Sequence, residues 1–395
     1  MEDSQRAPIV RIVDLLVMEA LKQRASDIHI EPTEKDLRIR YRIDGHLRDV
    51  FKLPKKNQNA VIARIKIISG LDITEARLPQ DGRFKAKTKQ KEIDFRVSAL
   101  PTTFGQKFVL RTLDRSKLAM GLDNLDMSPT PLQLFREAIA KPYGMILVTG
   151  PTGCGKSTTL YSIINQLNKP ERNIITVEDP VEYQIEGITQ IQVRHEIGLT
   201  FASGLRSILR QSPDIVLVGE IRDFETADIA IKASLIGELV LSTLHTNDAC
   251  GAITRLIDMG VEPFLVASSL VLSSAQRLCR RICPRCKKPD EISRETLEKV
   301  GVYEEMKKKN ISTVFRGEGC GYCNNTGYFE RIGIHEVVMI DDDIRDMIIK
   351  RMSRDQIKEY AMKEKGFKTL REDAIDKWAQ GIITLEEIIR VTTQD

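Results

Sequence analysis

The run Gly150-Pro-Thr-Gly-Cys-Gly-Lys-Ser157 limits the possible folds of this chain more than any other segment, because the patterns on its two sides differ. Met145 to Thr149 reads as a short buried strand and Lys156 to Leu167 as a helix. A G-x-x-x-x-G-K-S loop between strand and helix is a phosphate cradle. Gly150, Gly153 and Gly155 let successive backbone N–H groups turn inward, Lys156 reaches the β- and γ-phosphates, and Ser157 can hold Mg²⁺. Pro151, Thr152 and Cys154 complete the loop, and Thr158 follows in the first turn of a helix whose positive end points at the same phosphates. The chain is therefore predicted to bind a nucleoside triphosphate, ATP with Mg²⁺, and the question becomes what it does with the energy.

With 395 residues, 42% of them hydrophobic and 29% charged, the chain has the composition of an ordinary globular protein with two or three domains. No apolar run approaches the 18 or so residues of a membrane span, and the start Met-Glu-Asp-Ser-Gln-Arg is not a signal peptide, which predicts a cytoplasmic location. The 60 Lys and Arg nearly balance the 56 Asp and Glu, and only 5% of residues are aromatic, so a strong footprint of a nucleic-acid binder is not evident, with a local basic patch left open.

Residues 6–25 carry apolar positions at helical spacing, whereas Asp27 to Glu31 and Leu37 to Ile43 alternate strictly, as half-buried strands do. Asp44-Gly45 predicts a tight turn into a strand ending near Leu53; residues 57–70 read as a helix and 83–113 as three more strands. Residues 1–115 thus form an N-terminal α+β domain, 116–131 a linker, and 132–395 a second domain. In the latter, strands at 145–149, 173–178, 188–193, 214–219 and 239–244 are interleaved with helices at 156–167, 202–211 and 224–236. That order predicts an α/β fold with a mainly parallel, helix-covered sheet. Two helical stretches are expected within 247–275, a Cys-, Lys- and Arg-rich insert over 279–330, and further helices over 341–395.

Several strand ends carry acids or a histidine. Asp214-Ile-Val-Leu-Val-Gly-Glu220 is an apolar strand closing on a carboxylate, the arrangement that places an acid beside Mg²⁺-bound phosphates. Glu178-Asp-Pro-Val-Glu182 closes another strand; Glu178 or Glu182 there can orient or deprotonate the attacking water while Asp179 helps hold the ion through water. Ser242 to Asn247 is the third such end, and His245 in it is placed to sense the γ-phosphate.

This ordered set resembles the secretion-ATPase superfamily, the RecA-like hexameric motors of type II secretion and type IV pili. Ala25 to Pro32, Arg42 to Gly45, Leu78 to Arg83 and Asp94 to Ser98 are similar to the smaller, PAS-like domain that precedes the motor domain in these proteins. The resemblance covers nearly the whole chain and leans to the pilus-assembly branch, close to its type II secretion counterparts. It implies an ATPase working as a homo-hexamer at the inner face of the inner membrane, reaching the membrane through a platform protein rather than through nucleic acid. It further implies that arginines complete the site from a neighbouring subunit or domain. Arg96 and Arg111 match the family positions, and Arg83 and Arg210 are additional candidates.

Cys283-Pro-Arg-Cys286 and Cys320-Gly-Tyr-Cys323 enclose 33 residues, and two such knuckles make a tetrahedral Cys₄ zinc site. Unmetallated pairs or a redox pair are the alternatives. Assembly ATPases of the family carry a tetracysteine element and the retraction ATPases lack it. Two departures from the family pattern stand out: Glu238 occupies a position where a histidine is usual, and the chain begins directly at the domain before the motor. Two other functions remain as alternatives, a RecA-like nucleic-acid motor and a nucleotide-gated scaffold with little turnover.

Overall fold

The computed structural model describes residues 8–87, 92–113 and 121–392. It forms two compact units, Met1–Arg115 and Ser116–Asp395. The first unit contains α1 (Pro8–Lys22), β1 (Asp27–Pro32), β2 (Asp36–Ile43), β3 (His46–Pro54), α2 (Gln58–Ser69), β4 (Gln80–Lys87), β5 (Glu92–Thr102) and β6 (Gly105–Leu113). Its six strands make one antiparallel sheet in the order β3-β2-β1-β6-β5-β4. Strict alternation in β2 turns Leu37, Ile39, Tyr41 and Ile43 to the buried face, where they meet Val13, Leu16 and Val17 of α1 and Val61 and Ile65 of α2. Arg38, Arg40 and Arg42 therefore lie on the other face. The β2–β3 hairpin turns at Asp44 and Gly45, both with positive φ (48° and 89°), as a two-residue hairpin turn requires.

The second unit contains α3 (Pro129–Ile139), β7 (Gly144–Thr149), α4 (Lys156–Leu167), β8 (Ile174–Glu178), β9 (Thr189–Gln192), α5 (Phe201–Ile208), β10 (Ile215–Val218), α6 (Phe224–Leu235), β11 (Leu239–Leu244), α7 (Ala249–Asp258) and α8 (Pro263–Ser269). It continues with β12 (Leu270–Ile282), β13 (Lys287–Asp290), α9 (Arg294–Val300), α10 (Tyr303–Lys308), β14 (Val314–Gly317), β15 (Tyr328–Met339), α11 (Asp342–Ile349), α12 (Arg354–Lys365), α13 (Leu370–Ala379) and α14 (Leu385–Val391). Seven strands form the sheet β15-β12-β7-β11-β10-β8-β9, parallel except for β15. Alternation along β7 divides the core. Met145 and Leu147 face the layer of α5 to α8, and Ile146 and Val148 face α3 and α4. Every residue of β7, β8, β10 and β11 is buried, which is why these segments read as unbroken apolar runs.

Two expectations are corrected. The helical stretch expected to reach 275 stops at Ser269, and Leu270 begins a 13-residue strand that runs into the insert. Buried on both faces through Gln276, that segment has no two-residue period to separate it from a buried helix. Its antiparallel partner β15, absent from the sequence reading, joins the end of the insert to the sheet. Of the expected linker, residues 116–120 lie outside the described residues, and α3 begins at Pro129, within it, with proline in the first helical turn.

Candidate nucleotide site, arginine row and metal cluster

Because β7, β8, β10 and β11 are parallel, their carboxyl ends share one edge of the sheet, where α/β folds place ligands. The loop after β7 occupies that edge. Gly150, Gly153 and Gly155 all have positive φ (143°, 78° and 96°). At Gly150 a Cβ would come within 2.7 Å of both Cys154 Sγ and the Gln276 carbonyl oxygen, so no larger residue fits. Lys156 Nζ donates to the carbonyls of Gly150 (2.7 Å) and Pro151 (3.2 Å), folding the loop round its own lysine; burial lowers the affinity of that amine for its proton. Ser157 and Thr158 follow it in the first turn of α4.

The remaining strand ends gather around this loop. After β10, Glu220 accepts from Arg222 at 2.7 Å and lies 3.4 Å from Nε2 of His245, which follows β11. The Thr243 hydroxyl donates to the Gly219 carbonyl at 2.8 Å, and the Thr246 N–H donates to Oγ1 of Thr149 at 2.8 Å. Glu220 and His245 are thus one group held between two strands, and the second strand is pinned to the end of β7. After β8, Glu178 is buried and accepts from the hydroxyls of Tyr161 and Thr176; burial pushes its carboxyl above the usual range against the pull of those donors. Asp179 Oδ2 lies 3.7 Å from His195 Nε2, and Glu182 is half-buried with its backbone N–H on the Tyr161 hydroxyl.

Sequence reasoning missed two residues of this edge, Gln276 and Arg277. Parallel pairing sets Ala275 opposite Thr149, so the next residues of β12 arrive beside the phosphate loop. Gln276 donates to the Cys154 carbonyl (2.7 Å) and accepts from Thr159 of α4 (2.8 Å). Arg277 donates to the carbonyl of Asn247 at 2.8 Å and to that of Gln276 at 3.0 Å. The signal is a polar pair closing an apolar run, masked because a run buried on both faces has no period that separates strand from helix. Arg210 folds back on its own helix, donating to the Arg206 carbonyl at 2.9 Å and the Ser207 hydroxyl at 3.2 Å.

The other arginines lie in the first unit, and its strand register assembles them. Arg42 stands opposite Asp27, Asp27 opposite Arg111, Arg111 opposite Arg96, and Arg96 opposite Arg83, so one row crosses five strands on the face turned from α1 and α2. Asp27 is buried and touches Arg111 Nε at 3.0 Å and Arg42 Nε at 3.3 Å. Four guanidiniums thus share a row with one carboxylate, a net positive stripe suited to an anion. Arg42 was not among the predicted site residues; alternation in β2 pointed it to this face, and only the pairing of strands showed what it joins.

In the insert, Cys283, Cys286, Cys320 and Cys323 bring their four sulfurs within 4.8 Å of one another. Sγ separations of 3.9 Å (Cys283 to Cys320), 3.9 Å (Cys286 to Cys323) and 3.7 Å (Cys320 to Cys323) match the edge of about 3.8 Å of a tetrahedron with Zn–S bonds of about 2.3 Å. Backbone N–H groups of Gly319, Cys320 and Gly327 donate to the sulfurs of Cys286 and Cys323 at 3.2–3.3 Å, as donors around thiolates do. The sulfurs are not disulfide-bonded. Cys154, Cys250 and Cys279 are buried away from this cluster, and burial pushes all three thiols up, that of Cys279 to about 12. At the opposite edge of the sheet from the phosphate loop, Glu238 precedes β11 with its Oε2 unpartnered, and burial raises its carboxyl to about 7. Among the described residues no helix is long and apolar enough to cross a membrane.

Residues 2–390 match the family model described as type II/IV secretion system protein. The type IV pilus assembly ATPase PilB of Myxococcus xanthus (strain DK1622) is 51% identical over 391 residues, spanning 98% of this chain and 69% of that protein. The type II secretion system ATPase E of Vibrio cholerae serotype O1 is 47% identical over 394 residues, or 100% and 77% of the two chains. Among solved structures, the Legionella pneumophila ATPase DotB superposes with a TM-score of 0.71 at 22% identity, covering 98% of this chain and 96% of that one. The pilus retraction motor PilT gives 0.63 at 24%, covering 96% and 97%, so these two establish the shared RecA-like fold. A family match over nearly the full length, with relatives at about half identity that are named ATPases, places this chain in the type II/IV secretion system family of ATPases.

Proposed function

We propose that this chain is a mechanochemical ATPase that drives assembly of a type IV pilus. The observation that carries the reading is the gathering, at one sheet edge, of the Lys156 loop, the paired Glu220 and His245, and the loop of Glu178 and Glu182, in a chain 51% identical to a pilus assembly ATPase. ATP would be held by the amides of 150–157 and by Lys156, with Ser157 on Mg²⁺, whose charge offsets that of the phosphates. Glu182 orients the attacking water from its loop, while Glu178, interior and hydrogen-bonded, sets the position of that loop. Glu220 is held by Arg222 and His245 so that its carboxylate meets the metal side of the phosphates.

Arg96 and Arg111, with Arg83 and Arg42 beside them, are the guanidiniums that meet charge developing on the transferred phosphoryl, an effect of about 10³ to 10⁵ in rate where arginine fingers operate. Hydrolysis then permits the two units to rotate, and in a homo-hexamer on an inner-membrane platform protein that rotation adds pilin subunits. The tetracysteine cluster holds a structural zinc. A second reading, the ATPase of a type II secretion system, is supported by 47% identity over the whole of this chain to the Vibrio cholerae protein. Comparing ATP turnover of the wild type with that of Glu220→Gln tests the enzyme. A fall of two orders of magnitude or more is expected, and equal rates would end the reading.

A further inference from the structure

β8 and β9 are parallel neighbours, paired from Ile175 with Thr189 to Glu178 with Gln192. A chain leaving the end of β8 has to travel back along the sheet before entering β9, a return that is usually made by a helix. Here residues 179–188 make it without one. That leaves their backbone groups with no ladder, and side chains have to take its place.

One stripe of α4 does so. Tyr161, Asn165 and Asn168 follow one another at intervals of four and three residues, which puts them on one side of the helix and its end. The Tyr161 hydroxyl donates to Glu178 Oε2 and accepts the N–H of Glu182 at 3.2 Å. Asn165 Nδ2 donates to the Tyr183 hydroxyl at 3.4 Å, and Asn168 Nδ2 to the Glu186 carbonyl at 2.8 Å. The rings of Tyr161 and Tyr183 meet edge to face, with centroids 4.8 Å apart. From the sheet side Gln190 completes the clasp, accepting the Ile185 N–H at 2.7 Å and donating to the Tyr183 carbonyl at 3.1 Å. The clasping helix is the one that starts with Lys156 and Ser157, so one rigid element carries the phosphate loop at its tip and the acidic loop along its flank.

We propose that Tyr161 is a positioning residue for Glu182. Its hydroxyl bonds both Glu178 and Glu182, so a displacement of α4 when the phosphate loop takes up ATP moves Glu182 with it. The inference rests on the ATPase reading above.

Tyr161→Phe removes one oxygen and keeps the ring that packs on Tyr183. Turnover of the full chain is measured for wild type, Tyr161→Phe, Glu182→Gln and the double variant. In Tyr161→Phe, kcat is expected to fall about tenfold or more while KM for ATP changes less than about threefold. In the Glu182→Gln background the same change is expected to have no further effect, because the two residues act as a unit. A Tyr161→Phe enzyme with wild-type kcat, or one that loses the same factor in both backgrounds, would overturn the inference while leaving the ATPase reading intact. Loss of ATP binding along with turnover in Tyr161→Phe would also overturn it, since α4 itself would then be disturbed. A wild type without ATP turnover would remove the ATPase reading instead, and a Glu182→Gln enzyme at the wild-type rate would end the assignment of Glu182 and this inference together.

Discussion

Replacing Cys323 by serine tests the metal cluster at the residue most committed to it. Cys323 Sγ lies 3.9 Å from Cys286 Sγ and 3.7 Å from Cys320 Sγ, and it accepts N–H groups from Cys320 (3.2 Å) and Gly327 (3.3 Å). These separations are close to the tetrahedral edge, so zinc bound here would require no movement of the backbone, and its binding energy would go into holding the insert together. Structural zinc is worth about 10–16 kcal/mol in zinc-finger peptides at neutral pH. Shared evenly over four thiolates, the loss of one removes about 3 kcal/mol, or about a hundredfold in affinity.

β13 and β14 pair over only four residues each, and a two-stranded ribbon of that size is marginal by itself. Metal analysis of protein purified without chelator is expected to find about one zinc per chain, and competition against a chromogenic chelator to strip Cys323→Ser at roughly a hundredfold lower chelator strength. Amide exchange over 283–290 and 314–327 should rise in the variant while that of β7 and β11 stays unchanged. A wild type that holds no zinc, or a variant that holds it as tightly, would rule out a structural zinc held by these four thiols.

Two further outcomes follow from buried charge. Glu238 has an ordinary carboxyl in the unfolded chain and one raised to about 7 in the fold, so the native state is favoured below pH 4.5 and loses that advantage as pH rises through 7. Glu238→Gln is expected to stabilise the protein at pH 8 by up to about 3 kcal/mol relative to its effect at pH 4.5, measured by urea unfolding; an equal effect at both pH values would contradict this. Lys377 and Asp373, 3% and 2% exposed, are 2.8 Å apart, and Asp373 also accepts the backbone N–H of His335 at 2.9 Å and the Ser128 hydroxyl. Lys377→Met leaves that carboxylate without its cation and is expected to cost about 3–5 kcal/mol by calorimetry, with Lys377→Met/Asp373→Asn recovering at least half; equal losses in the two proteins would show that the pair is not what stabilises.

The part of this protein legible in its sequence is the part whose physics is local. Glycines in a loop between strand and helix, acids closing apolar strands, alternation in β2 and paired C-x-x-C knuckles each depend on residues a few positions apart, and the phosphate loop and the four cysteines stood out for that reason. The long strand β12 did not, because burial on both faces erases the two-residue period, and with it went Gln276 and Arg277 beside the loop. The arginine row was visible only as separate residues on separate strands. Arg42, Arg111, Arg96 and Arg83 share a line because hydrogen bonds between β2, β1, β6, β5 and β4 fix their register, and register is a property of pairs of strands that no single strand contains. Residues close in sequence were enough to mark a phosphate-loop motif between strand and helix and four thiols in two C-x-x-C knuckles. The tertiary structure alone decided which side chains hold the cradle and its acidic loop in place, since Gln276 and Tyr161 reach their partners across 122 and 17 residues of chain and are brought there by packing of the sheet.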